Sequence, residues 1–128
     1  MNESNTGTLH GVRVLIVEDE HLVALALADD LEEIGAIVVG PASTVEHALD
    51  LIDEHEIEAA VLDIKLQSQF VFPVADALAG RGVPFVFTTG FDTGIVPDEY
   101  ADVPKCEKPA SPGMVMTLLA GLARPGAA

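Results

Sequence analysis

Apolar residues along this chain fall into short continuous runs, separated by longer stretches with helical periodicity. Short continuous apolar runs are typical of strands that are buried on both faces of a parallel sheet. Strands are therefore predicted over residues 12–17, 36–39, 59–63, 83–89 and 104–107. Helices are predicted over residues 20–34, 45–54, 70–79 and 112–123, and residues 91–103 are expected to form a loop with few helical turns.

The alternation of strands and helices predicts an α/β fold. Parallel strands need crossover connections, so we expect a doubly wound five-stranded parallel sheet, a flavodoxin-like (βα)5 arrangement with a short or irregular fourth helix. Thr44 is a predicted helix N-cap, and residues 65–69 are predicted to form a polar loop. The first helix is predicted to bury one stripe of side chains, formed by Val23, Leu27, Leu31 and Ile34.

Length and charge limit the possible classes of protein. The chain has 128 residues and a net charge of −15, from 21 acidic residues against 6 Lys and Arg. This predicts one domain over residues 11–123, with a disordered N-terminus at 1–10 and a tail at 124–128. The negative charge argues against nucleic acid or an anionic membrane as a direct partner. The lone Cys106, with no signal peptide and no spanning run, suggests a cytoplasmic protein.

Polar side chains stand at the ends of the predicted strands, and Asp63 closes a strand whose four preceding residues are apolar. The carboxyl ends of parallel strands share one edge of the sheet, so these side chains are expected to converge. Carboxylates that share a pocket repel one another, and a divalent cation with oxygen ligands, Mg²⁺ rather than Zn²⁺, would remove that conflict. A nearby hydroxyl and ammonium suit a phosphoryl group. The side chains concerned are Glu18 and Asp19, Asp63, Thr88 to Gly90, and Lys108.

The order of these motifs resembles the receiver domain of two-component response regulators, over about residues 11–123. The resemblance implies that Asp63 is the phospho-acceptor and that a sensor histidine kinase is the donor. It implies a site for Mg²⁺ (or Mn²⁺) formed by Glu18, Asp19, Asp63 and the backbone carbonyl of Ile64. The residues it implies for phosphoryl binding and switching are Thr89, Gly90 and Lys108. With no output domain expected, the signal would pass by protein–protein binding or by phosphate relay to a downstream partner.

The segment Phe87-Thr88-Thr89-Gly90-Phe91 is similar to the motif of one receiver subgroup. That subgroup comprises the alphaproteobacterial single-domain receivers with a Phe-Ala-Thr-Gly-Phe/Tyr sequence, and it implies a role in general stress signalling. Phe91 is a candidate switch residue, because the usual aromatic position holds Lys105. Many receivers have Pro four residues after the phospho-acceptor, where this chain has Gln67. Lys65, two residues after Asp63, is a candidate modulator of the phosphoryl group.

Three other interpretations stay open. Asp63 as the nucleophile of a Mg²⁺-dependent phosphohydrolase would need a second acid two residues later, where Lys65 stands. The chain could also be a receiver-like binding module that is never phosphorylated. A flavodoxin-like cofactor binder would want a phosphate-binding loop after the first strand, where Glu18-Asp19-Glu20 repels phosphate. Each motif alone could be structural, for example an acidic first helical turn.

Apolar residues outside the predicted core stripes suggest a partner surface. Two lie on the first helix and three on the last helix, and the last helix and the fifth strand are expected to form a docking or dimer face. We expect these residues to serve in docking or in a phosphorylation-dependent homodimer, against the alternative of ordinary packing. They are Leu22, Leu25, Met114, Met116 and Leu119.

Overall fold

The computed structural model describes residues 9–90, 95–108 and 112–122. Its strands are β1 (Arg13–Val17), β2 (Ile37–Ala42), β3 (Ala59–Asp63), β4 (Lys65–Leu66), β5 (Gln69–Phe70), β6 (Phe85–Thr89) and β7 (Lys105–Glu107). Its helices are α1 (His21–Glu33), α2 (Val45–Glu54), α3 (Phe72–Gly80) and α4 (Pro112–Leu122), with a 3₁₀ turn at Asp98–Tyr100. No helix among the described residues is long and apolar enough to cross a membrane.

A five-stranded sheet in the order β2-β1-β3-β6-β7 forms the centre of the fold. All of its neighbouring strands pair in parallel. The predicted doubly wound sheet is therefore confirmed, and the 3₁₀ turn between β6 and β7 is the irregular fourth helix. Strand β1 has β2 on one side and β3 on the other, so the chain changes direction across the sheet beside β1. Ligands collect at such a switch point in open α/β sheets.

Each face of the sheet carries its own hydrophobic layer. One layer joins the sheet to α2 and α3 through residues such as Ile52 and Leu78. The other joins it to α1 and α4 through residues such as Leu31 and Leu119. The central strands β3 and β6 are buried along their whole length, which explains their continuous apolar runs.

The buried face of α1 differs from the predicted stripe. Val23 is 42% exposed and Ile34 is 36% exposed, so neither belongs to the core. The buried residues are Ala24, Leu27, Ala28 and Leu31. Two alanines give a weaker hydrophobic signal than Val and Ile, yet their small size lets the helix lie close to the sheet. The true stripe is thus rotated from the one that side-chain hydrophobicity alone favours.

The N-cap prediction for α2 is confirmed, because the Thr44 hydroxyl accepts a hydrogen bond from the backbone N–H of His47 at 3.1 Å. Strand β2 was expected to end before Gly40, but it continues to Ala42. Gly40 has a φ of +94°, which other residues rarely adopt, and the β1–β2 register shifts at this point.

Three local expectations are wrong for the same reason, namely tertiary packing. Residues 65–69 do not form a plain loop, since Lys65–Leu66 and Gln69–Phe70 pair as an antiparallel hairpin with Leu66 buried. Leu9, which was assigned to the disordered end, is fully buried beside α1. Leu119 was assigned to the partner surface, but it is fully buried because Val115 and Leu119, one turn apart on α4, both face the sheet.

Candidate functional site

The ends of β1 and β3 bring three carboxylates together. Asp63 is the last residue of β3 and is 3% exposed, while Glu18 follows β1 directly and is 5% exposed. Asp19 is the next residue and is half-buried. Ligand oxygens from these three residues all lie within 4.8 Å of one another. The convergence follows from the parallel register, in which Val17 lies opposite Leu62.

Lys108, which follows β7, places its ammonium group in this acidic cluster. Its Nζ donates to Asp63 Oδ2 at 2.8 Å and to Glu18 Oε2 at 3.2 Å. Glu20 Oε1 lies 3.6 Å away at the more exposed side. The backbone N–H of Lys108 donates to the carbonyl of Thr89 at 2.8 Å, which ties the end of β6 to the base of this side chain.

Burial sets the ionisation of the cluster. It raises the pKa of Glu18 to about 7, with the charge of Asp63 adding to the rise and the Glu20 N–H and Lys108 opposing it. Burial also raises the pKa of Asp63 above its ordinary value, although Lys108 opposes this. For Lys108, burial acts to lower the pKa, but the hydrogen bond and charge of Asp63 outweigh it and raise the pKa. One ammonium thus faces more carboxylate charge than it can offset.

The donor set fits a hard divalent cation. The three clustered side chains offer only carboxylate oxygens, which are the ligands that Mg²⁺ prefers, and they carry unbalanced negative charge. The carbonyl of Ile64, the predicted fourth ligand, accepts a hydrogen bond from the N–H of Val71 at 2.9 Å. A ligand role for this carbonyl stays a prediction, and it would have to use the second lone pair of the oxygen.

Beside the carboxylates lies a cleft of about 420 Å³. Asp63, Lys108 and Thr89, the last residue of β6, all line it. Two half-exposed apolar side chains, Phe70 and Ile95, border it. The full lining is Asp63, Ile64, Lys65, Phe70, Thr89, Gly90, Ile95 and Lys108.

Sequence reasoning missed Phe70 and Gln67 as parts of the site. Phe70 was assigned to the start of a helix, so the hairpin that turns it toward the cleft was not foreseen. Gln67 donates its backbone N–H to Asp19 Oδ2 at 2.7 Å, a contact that no side-chain pattern reveals. A signal was available, since the chain has Gln67 where many receivers have proline.

The other predicted residues are placed as follows. Phe91 and the side chain of Met116 lie outside the described residues. Leu22 is 79% exposed, Leu25 43% and Met114 54%, and their role in binding stays a prediction. Lys105, at the usual aromatic switch position, donates to the carbonyls of Val103 at 2.8 Å and Ala101 at 3.2 Å, so it stabilises the turn before β7.

Comparison with known proteins identifies the family. The solution structure of SdrG from Sphingomonas melonis Fr1 is 41% identical, with a TM-score of 0.77, and the match covers 88% of this chain and 96% of that one. The response regulator PhyR from Brucella abortus is 28% identical, with a TM-score of 0.76, over 94% of this chain and 51% of that one. This chain belongs to the response regulator receiver family. It lies close to the SdrG and PhyR group of alphaproteobacterial receivers.

Other matches agree with this receiver assignment. The transcriptional regulatory protein PdtaR from Mycobacterium tuberculosis is 34% identical over 80 residues, which is 62% of this chain. The match spans 39% of PdtaR, and the chain spans about half of PhyR. PhyR from Bartonella quintana is described as an anti-anti-sigma factor and is 28% identical, with a TM-score of 0.75, over 92% of this chain and 50% of that one. No protein-family model matches the chain.

Proposed function

We propose that this receiver accepts a phosphoryl group on Asp63 from the phosphohistidine of a sensor histidine kinase. The observation that carries the proposal is the Asp63 carboxylate, which is buried, lines the cleft, and accepts a hydrogen bond from Lys108 Nζ at 2.8 Å. A buried carboxylate costs free energy unless its partners stabilise it. Its position beside a cleft that admits a small group supports a role for this carboxylate as a reacting group.

The reaction is a transfer between two nucleophiles. A carboxylate oxygen of Asp63 attacks phosphorus, the phosphorus–nitrogen bond of the donor breaks, and the electron pair returns to the imidazole, which takes up a proton. The product is an acyl phosphate on Asp63. This chain supplies the nucleophile and the groups around it, and the kinase supplies the activated phosphoryl group.

Lys108 and Thr89 are proposed to bind the phosphoryl oxygens. The Lys108 ammonium already lies 2.8 Å from Asp63 Oδ2, so it can move onto a phosphoryl oxygen with a small displacement. The Thr89 hydroxyl can donate a hydrogen bond from the adjacent wall of the cleft. Because the Thr89 carbonyl accepts a hydrogen bond from the Lys108 N–H, movement of either residue would displace the other.

Glu18, Asp19 and Asp63 would hold Mg²⁺. Mg²⁺ bound there supplies positive charge that stabilises the oxygens of the phosphoryl group during transfer. The same carboxylates would also keep free phosphate away from the site when no cation is present, since like charges repel.

The test is labelling with a small phosphodonor. We expect intact-mass analysis after incubation with phosphoramidate to show one added phosphoryl group when Mg²⁺ is present, and none when EDTA is included from the start. Asp63→Asn should abolish the label. Asp50→Asn, an exposed aspartate on α2, is the matched control and should label like the wild type. Labelling that persists in Asp63→Asn would overturn the assignment.

We further propose that the protein acts in stress signalling through contacts with other proteins. Relatives support this, because PhyR proteins are described as an anti-anti-sigma factor and as a stress response regulator. The exposed Leu22 and Leu25 on α1 border the acidic cluster in sequence and offer an apolar surface for the kinase. A phosphohydrolase is disfavoured, because the position two residues after Asp63 holds an exposed lysine rather than an acid.

A further inference from the structure

The hairpin of β4 and β5, residues Lys65–Phe70, is attached to the site at several points. Leu66 is 1% exposed and anchors it in the core beside α2 and α3. The side-chain oxygen of Gln69 accepts a hydrogen bond from the N–H of Val45, at the start of α2, at 3.2 Å. Between these anchors, the backbone N–H of Gln67 donates to Asp19 Oδ2 at 2.7 Å.

The bond from Gln67 fixes one of the carboxylates in the proposed cation site. At 2.7 Å it is as short as a charge-assisted hydrogen bond should be. It uses one lone pair of Asp19 Oδ2, so the carboxylate keeps other lone pairs with which to bind a cation. Donors that hold a ligating carboxylate in this way orient it, and their loss costs about 10- to 100-fold in metal affinity in known sites.

This bond depends on the residue type at position 67. Many receivers have proline at the corresponding place, and proline has no N–H to donate. In this chain glutamine supplies that N–H, so the departure from the usual receiver pattern has a specific structural result. The hairpin is bonded directly to Asp19 rather than only lying over it.

We propose that the Gln67 N–H is a positioning group for Asp19. Through this hydrogen bond, cation binding and the position of the hairpin in which Gln67 is bonded to Asp19 stabilise each other. Coupling of this kind is reciprocal, so what the hairpin adds to cation affinity, the cation adds to hairpin stability. Since Lys65 and Phe70 also line the cleft, the cation then orders one wall of the phosphoryl site. The inference rests on the proposed function, in which Asp19 is a cation ligand.

Two substitutions separate the N–H from the side chain. Gln67→Pro removes the donor, and Gln67→Ala keeps it as the matched control. Gln67 and Ser68 form the two-residue turn, and neither has the positive φ that would exclude proline from the first turn position. Leu66 before it is extended, as the residue preceding proline should be. Calorimetric titration with MgCl₂ should show about tenfold weaker binding by Gln67→Pro than by Gln67→Ala.

A second measurement uses the unaltered chain. In the wild type, hydrogen exchange at the Gln67 amide, followed by NMR, should slow when Mg²⁺ is added, because the cation holds Asp19 in the position that accepts this bond. The amide of Val45, which donates to Gln69, should slow with it. In Asp19→Asn the Mg²⁺ effect on both amides should disappear. This measurement decides the question if Gln67→Pro does not fold.

The outcomes distinguish this inference from the proposed function. Weaker Mg²⁺ binding by Gln67→Pro alone supports the inference. The inference is overturned if the two variants bind Mg²⁺ with equal affinity. It is also overturned if the wild type binds Mg²⁺ but exchange at its Gln67 amide does not change. Either result leaves the phospho-acceptor role intact. A wild type that does not bind Mg²⁺ overturns the cation site of the proposed function itself.

Discussion

Glu18 shows most directly that burial of the site's carboxylates lowers the stability of the fold. Its carboxylate is 5% exposed and faces Asp63, and burial raises its pKa to about 7. At neutral pH, burial therefore favours the protonated form of the Glu18 carboxyl group, and Lys108 offsets only part of the cost of its negative charge. Sites that are built for chemistry commonly carry such a cost.

The first prediction concerns the pH dependence of stability without divalent cations. The pKa of Glu18 is higher in the fold than its ordinary value of 4.5, so the folded state binds the extra proton. The free energy of unfolding should thus fall between pH 4.5 and about 7, by at most about 3 kcal/mol. Urea denaturation across this range measures it, and Mg²⁺ should reduce the fall, because it stabilises the ionised form.

Glu18→Gln isolates this effect from the other acidic residues, because it removes the titrating group and keeps the size of the side chain. The difference in stability between this variant and the wild type should grow as pH rises from 4.5 to 7. A constant difference in stability across that range would contradict the raised pKa of Glu18 in the fold.

Aromatic side chains link the cleft to the turn before β7. Phe70 at the cleft stacks on Phe72 at a centroid distance of 6.0 Å, and Phe72 stacks on Tyr100 at 6.3 Å. Phe85 and Phe87 of β6 pack edge-on against Tyr100. Tyr100 also donates a hydrogen bond from its hydroxyl to Asp76 of α3. These contacts explain why a segment with little helical propensity forms an ordered 3₁₀ turn.

The second prediction tests the bond between Tyr100 and Asp76. Tyr100→Phe keeps the ring contacts and removes the hydroxyl, so the unfolding free energy should fall by about 1 to 2 kcal/mol. Asp76→Asn keeps an acceptor and should cost less. Chemical denaturation measures both variants. If Tyr100→Phe were as stable as the wild type, the turn would owe its order to the rings alone.

In the folded molecule, residues of the same type on two helices differ completely in burial. Leu119 on α4 is fully buried against the sheet, whereas Leu22 on α1 is 79% exposed. Both are leucines within helices that pack on the same face of the sheet, and the packing of each helix tells them apart.

The third prediction uses this pair. Leu119→Ala should destabilise the fold by about 2 to 5 kcal/mol, because it leaves a cavity in the core. Leu22→Ala, the matched control, should change stability by less than about 0.5 kcal/mol. Thermal or urea unfolding of both variants checks this. Similar losses in the two variants would mean that the assigned burial of α1 and α4 is wrong.

Much of the fold was predictable because it depends on short-range patterns. The apolar runs of β3 and β6, the Thr44 cap and the alternation of strands and helices all follow from residue type and spacing. The convergence of Glu18, Asp63 and Lys108 was predictable too, since parallel strands share one carboxyl edge. The hairpin and Leu9 were missed, because their order depends on distant contacts.

The sequence by itself determined which strands end in a carboxylate, a hydroxyl or an ammonium group. It therefore determined which functional groups the carboxyl edge of the sheet contains. Only the tertiary structure decided how those groups are held. The rotation of α1, the burial of Leu119 and the bond from Gln67 to Asp19, 48 positions apart, arise from packing between separate elements. The only local sign of the last of these is that residue 67 is not proline, because a backbone N–H is the same in every other residue.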